Sequence, residues 1–122
     1  MNTVVIRAEE PVSAQEVGAS LRKVFTQVRA AIDEGSHVVL AVRSADLLGH
    51  RGALTGAYVG ALVGMARAVA FEGVKPQWRI NVVAAPAGRE LSDRETVTCI
   101  GDDQMSGQVI VLGPELLGKV AP

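Results

Sequence analysis

Side chains able to do chemistry are few in this 122-residue sequence, and their spacing gathers none of them into an obvious site. The single cysteine, Cys99, has no neighbouring base to lower its pKa and is expected to be an inert, buried thiol. His37 and His50 stand alone and are expected to be structural or solvated. Asp102-Asp103 has no further ligands beside it, so it reads as a turn and not a metal site. A small-ligand reading rests on Arg43 and Ser44, which end one apolar run, and on the Ala85–Arg89 loop, which ends another. Parallel strands leave a crevice at their carboxyl ends, and these residues would line it.

The elements that must position such groups are clearer. Thr3–Ala8 (TVVIRA) is a β-branched run closed by Glu9-Glu10-Pro11 and predicts a strand. Ser13-x-x-Glu16 has the form of a capping box. Val17, Leu21, Val24, Val28 and Ile32 follow at spacings of three and four, so Ser13–Glu34 predicts an amphipathic helix that Gly35 stops. His37–Val42 is apolar throughout, as a strand covered on both faces should be. A loop over Ser44–Arg51, a second long helix over Gly52–Glu72 and strands over Arg79–Ala84 and Gln108–Leu112 complete the reading. For Thr96–Ile100 the composition (TVTCI) mildly favours a strand, whereas Ser92-x-x-Glu95 could open a helix; both stay open. Alternating strands and helices predict one α/β domain with parallel packing and right-handed crossovers.

Composition bounds the function. Twelve basic residues against thirteen acidic ones, with neither sign clustered, argue against a nucleic-acid partner and against polybasic membrane attachment. The most apolar stretch, Gly52–Ala66, is shorter than a bilayer requires and is followed by Arg67, so no membrane span is expected. Met1–Ala8 lacks the features of a signal peptide, and one cysteine suits a reducing compartment, which points to the cytoplasm.

Gly52, Gly56, Gly60 and Gly64 recur every fourth residue and Ala68 continues the row, which places them along one ridge of the second long helix. Each glycine costs roughly 0.5–1 kcal/mol relative to alanine within a helix, so close approach by another backbone should offset the row. That backbone could belong to the chain's own sheet or to a second subunit.

Val59–Glu72 (VGALVGMARAVAFE) resembles the helix that follows the catalytic tyrosine of short-chain dehydrogenases/reductases, where the pattern is Lys-Ala-Ala-Leu-x-Gly-Leu-x-Arg-x-Leu-Ala-x-Glu. Leu62, Gly64, Arg67, Ala70 and Glu72 fall in place without a gap. Arg79–Ala84 resembles the family's Arg-Val-Asn-x-Val-x strand, and Ser106–Val111 its Thr-Gly-Gln segment, although the terminal Gly-Gly is Gly113-Pro114 here. Leu21–Ala31 and His37–Ser44 are similar to the preceding interface helix and the strand that ends at the catalytic serine. The likeness spans residues 3–113.

The resemblance implies a truncated Rossmann-like three-layer sandwich of about four mostly parallel strands with two long helices, lacking the dinucleotide-binding half. It puts the family's tyrosine on Thr55, its lysine on Val59 and its helix asparagine on Ser20, while its serine survives as Ser44. Tyr58 sits three residues beyond the tyrosine position with no lysine to support it. Threonine and valine cannot supply the family's acid/base and its pKa-lowering cation. Ser44 and Tyr58 are thus the only catalytic candidates, and both are weak. No glycine-rich turn lies between a strand and a helix, so no cofactor is expected unless a partner chain completes an NAD(P) site. The function implied is that of a non-catalytic subunit. It would form homo-oligomers or pair with a full-length relative through Gly52, Gly56, Gly60, Gly64 and Ala68, leaving Thr3–Ala8 on an open sheet edge. The alternative is a residual oxidoreductase acting on a carbonyl or hydroxyl substrate, with the cofactor site completed by a partner.

Overall fold

A computed structural model of the chain describes residues 2–47 and 49–113. Eight elements follow in chain order: β1 (Thr3–Arg7), α1 (Ala14–Asp33), β2 (His37–Arg43), α2 (Ser44–Leu47), α3 (Ala53–Glu72), β3 (Ile80–Ala85), α4 (Asp93–Thr98) and β4 (Val109–Val111). The strands form one sheet in the order β1-β2-β3-β4, and every pairing is parallel. This is a Rossmann-like α/β sandwich with two long helices, and β1 occupies an edge of the sheet.

Strand alternation divides the core between two faces. Ile6, Val38, Leu40, Val42, Ile80, Val82 and Ala84 meet α1 and α3 on one side. Val39 and Val83 point to the other, where Leu91, Cys99 and Ile100 pack against them beside Ile110 of β4. The β3–β4 connection, which carries α4, therefore crosses the face opposite α1 and α3. Its hand must be opposite to that of the two preceding crossovers, so the expectation of uniformly right-handed crossovers does not hold. Asn81 stabilises this return: its side-chain amide donates to Met105 O at 3.0 Å and accepts from Gln108 N at 3.0 Å.

Local chemistry explains the element ends. Ser13 caps α1 by accepting from Glu16 N at 3.2 Å, and the Glu16 carboxylate accepts the Ser13 hydroxyl proton instead of reaching the backbone. The predicted box is therefore only half formed. Gly35 ends the helix at φ 77°. The Ser44–Arg51 segment is not all loop, because its first four residues make the single turn α2. The Thr96–Ile100 ambiguity resolves as helix. Ser92 Oγ accepts from Glu95 N at 3.1 Å while Glu95 Oε1 accepts from Ser92 N at 3.1 Å, a complete capping box that outweighs the strand composition. Asp102-Asp103 does form a turn, with Gln104 N donating to Asp102 Oδ1 at 2.8 Å. Of the Gly113-Pro114 pair, Pro114 lies outside the described residues.

α3 buries Tyr58, Val59, Leu62, Val63 and Ala66 against the sheet and α1. Unlike α1, it is apolar around most of its circumference, and its exposed side carries Ala57, Gly60, Gly64, Ala68 and Phe71 together with the charged Arg67 and Glu72. Among the described residues it is the one helix long and apolar enough to cross a membrane.

Candidate functional site

The two weak catalytic candidates are both sealed in the interior. Tyr58 is 0 % exposed, and its hydroxyl accepts from Glu9 N at 3.4 Å. Burial pushes the phenol pKa upward, away from the range useful for acid/base work near neutrality. Ser44 is also 0 % exposed, and its Oγ has no hydrogen-bond partner, so the two hydroxyls are not linked. Thr55 turns its hydroxyl back to Gly52 O at 3.5 Å, Val59 is buried in the core, and Ser20 is half-buried on α1. No proton-relay geometry joins these positions.

The other isolated groups are local. Cys99 is half-buried, less than expected, and donates to Glu95 O at 3.3 Å. His37 opens β2, where burial lowers its pKa and Arg79 adds to the effect. His50 is exposed. Among the described residues no cluster of three or more His, Cys, Asp or Glu side chains could hold a metal ion.

The glycine row does not face the chain's own sheet. A Cβ on Gly60 or Gly64 would meet nothing within 4 Å, and Ala68 is exposed beside them. Gly56 differs, since a Cβ there would lie 2.9 Å from the Gly49 Cα. Gly52, at φ 121°, serves as the backbone cap of α3.

A crevice of about 540 Å³ opens at the carboxyl ends of β1, β2 and β3, as parallel-sheet geometry requires. The Arg43 and Ala85–Arg89 region lines it, whereas Ser44 is buried and is not among its lining residues. Six further residues contribute charge: Arg7, Glu9, Glu10, Asp46, Arg51 and Glu90. Glu10 pairs with both Arg43 and Arg51, the latter at 2.7 Å, and Arg51 reaches Asp46 Oδ2 at 3.3 Å. The Arg51 hydrogen bond, aided by Arg43, holds the Glu10 carboxyl below its usual range. The result is a ladder, Arg43–Glu10–Arg51–Asp46, of alternating sign. Nothing in the sequence announces it, because Glu10 and Arg51 are 41 positions apart.

No protein-family model matches this chain, and no curated protein matches it.

Proposed function

We propose that this chain is a non-catalytic subunit, resembling short-chain dehydrogenases/reductases, that works by association through the open side of α3. The carrying observation is the uncovered face of that helix. Gly60 and Gly64 have open space where a side chain would sit, and Phe71, about two turns beyond Gly64, is 82 % exposed. A helix apolar around most of its circumference is ordinarily covered over more of it than the chain's own sheet and α1 provide here. Burying Phe71 alone would contribute about 1.5–3 kcal/mol, which offsets part of the helix penalty of the bare glycines. The packing of Tyr58, Leu62 and Val63 onto the sheet favours a protein partner over lipid, since that side of α3 is already committed to a soluble-type core.

The oxidoreductase alternative draws no support from the positions the resemblance assigns to it, because Tyr58 and Ser44 are sealed and unconnected. Sedimentation velocity of the wild type and of Gly64→Glu, each alone and co-expressed with a full-length short-chain dehydrogenase/reductase, tests the proposal. The wild type should form a dimer or a mixed complex that Gly64→Glu disrupts. A wild-type monomer that ignores every such relative at all concentrations overturns it. Titration with a nicotinamide dinucleotide, with and without the relative, separates the alternative.

A further inference from the structure

Among the described residues no strand lies outside β1, so one flank of that strand is uncovered. His37 N donates to Asn2 O and Ala8 N to Ala41 O, both at 2.9 Å, so Asn2, Val4, Ile6 and Ala8 turn their backbone groups to β2. The alternate residues Thr3, Val5 and Arg7 therefore aim their N–H and C=O groups away from the sheet. This outward row ends at Glu9, whose N–H is taken by the Tyr58 hydroxyl at 3.4 Å.

Proteins ordinarily blunt such an edge with a lysine, a proline, a bulge or an inward-pointing charge. β1 (TVVIR) has no lysine or proline, and its register with β2 runs unbroken from Thr3 to Arg7. Its one charged side chain is drawn over α4, where Arg7 bonds Asp93 and Leu91 O. Val4 and Val5 are half-buried, although Val38 and Val39, their partners in β2, are each 1 % exposed.

We infer that β1 pairs antiparallel with β1 of a second copy, which joins two four-stranded sheets into one. The outward row is self-complementary. A two-fold axis at Val5 sets Val5 against the partner's Val5 and Thr3 against the partner's Arg7, and each facing pair exchanges two N–H···O bonds. Every outward group of Thr3, Val5 and Arg7 is then used, and no other register uses them all. The flanking layer fits as well, because α1 lies over both β1 and β2. With strands about 4.8 Å apart, the two α1 axes stand roughly 10 Å apart across the junction, within reach of ordinary helix packing. A second copy thus continues both the sheet and its helical cover, which a lone peptide strand would not do.

This junction is separate from the open side of α3, since α3 packs over β2 and β3 and α1 stands between. An interface this small belongs to the weak, transient class, so it is read at high protein concentration. Gly64→Glu, which removes α3 association, isolates it.

Amide hydrogen exchange of Gly64→Glu by NMR over a concentration series, alongside sedimentation equilibrium, tests the inference. In dilute protein the Val4 and Ile6 amides should exchange slowly and those of Val5 and Arg7 fast. Rising concentration should protect Val5 and Arg7 in step with dimer formation. Val5→Pro, made in the same background, removes only an N–H that the monomer does not use. It should raise the dimer dissociation constant by about tenfold or more. Val5 and Arg7 amides that stay unprotected as dimers form, a Gly64→Glu protein that is monomeric at every concentration, growth beyond a dimer, or undiminished pairing by a folded Val5→Pro protein would each overturn it. If Val5→Pro does not fold, the concentration dependence of Val5 and Arg7 exchange decides. Wild-type association that Gly64→Glu abolishes completely marks failure of this inference with the α3 reading intact. A wild-type dimer that survives Gly64→Glu and falls to Val5→Pro marks the reverse.

Discussion

Gly56 on α3 faces Gly49 so closely that a Cβ at position 56 would lie 2.9 Å from the Gly49 Cα and 3.5 Å from its N. This contact fastens the segment that bears Asp46 to the long helix, and it divides the glycine row into two kinds. One glycine is needed for packing within the chain. Gly60 and Gly64 are not.

Alanine scanning should expose that division. Gly60→Ala and Gly64→Ala should each stabilise the folded monomer by about 0.5–1 kcal/mol, because helix propensity improves and nothing is displaced. Gly56→Ala should destabilise by about 1–3 kcal/mol, because the backbone at Gly49 must shift. Chemical denaturation of the three variants at a concentration that keeps them monomeric checks the signs.

Burial raises the pKa of Tyr58, and the chain has only one tyrosine. A group whose folded pKa exceeds its unfolded value contributes stability that is complete below the unfolded pKa, about 10 for tyrosine. That contribution should therefore disappear as pH climbs through the folded pKa. Tyr58→Phe should abolish this alkaline component and cost about 1 kcal/mol near neutrality through the lost bond to Glu9 N. Ultraviolet difference absorbance against pH follows the phenolate directly.

Glu95 shows the opposite sign. The Ser92 amide, then Arg89, lowers its carboxyl pKa, so its contribution is present above the ordinary carboxylate range and is lost as pH falls through the folded pKa. Ser92→Ala should cost about 1 kcal/mol and loosen α4. Glu95→Gln, which removes the titrating carboxyl, should flatten the acid limb of the stability curve, as measured by thermal melts over acidic pH. Hydrogen exchange at Thr96 N, which donates to Ser92 O at 2.9 Å, reads out α4 itself.

Among the described residues, Arg51 supplies the one ion pair of the buried Asp46 carboxylate. Arg51→Ala should destabilise the fold, since it leaves a buried acceptor with no partner on either oxygen. Combined with Asp46→Asn the loss should be less than additive. A double-mutant cycle by urea denaturation measures the coupling.

Much of the scaffold was legible in the residues themselves. The Val17–Ile32 stripe with Ser13 before it and Gly35 after it specifies α1, and the apolar runs at His37 and Arg79 specify buried parallel strands, because periodicity and capping act over a few residues. Where the outcome hung on contacts distant in sequence, only the tertiary structure decided it. α3 is apolar on nearly every side, so its composition could not select which side meets the sheet, and the fold turned Tyr58 inward and Gly60 and Gly64 outward. The ends of Thr96–Ile100 carried conflicting local preferences until the Ser92–Glu95 box was closed. The hand of the β3–β4 crossover and the meeting of Glu10, Arg43, Arg51 and Asp46 depend on how strands stack across the sheet, since each is a product of chain segments that no local interaction links.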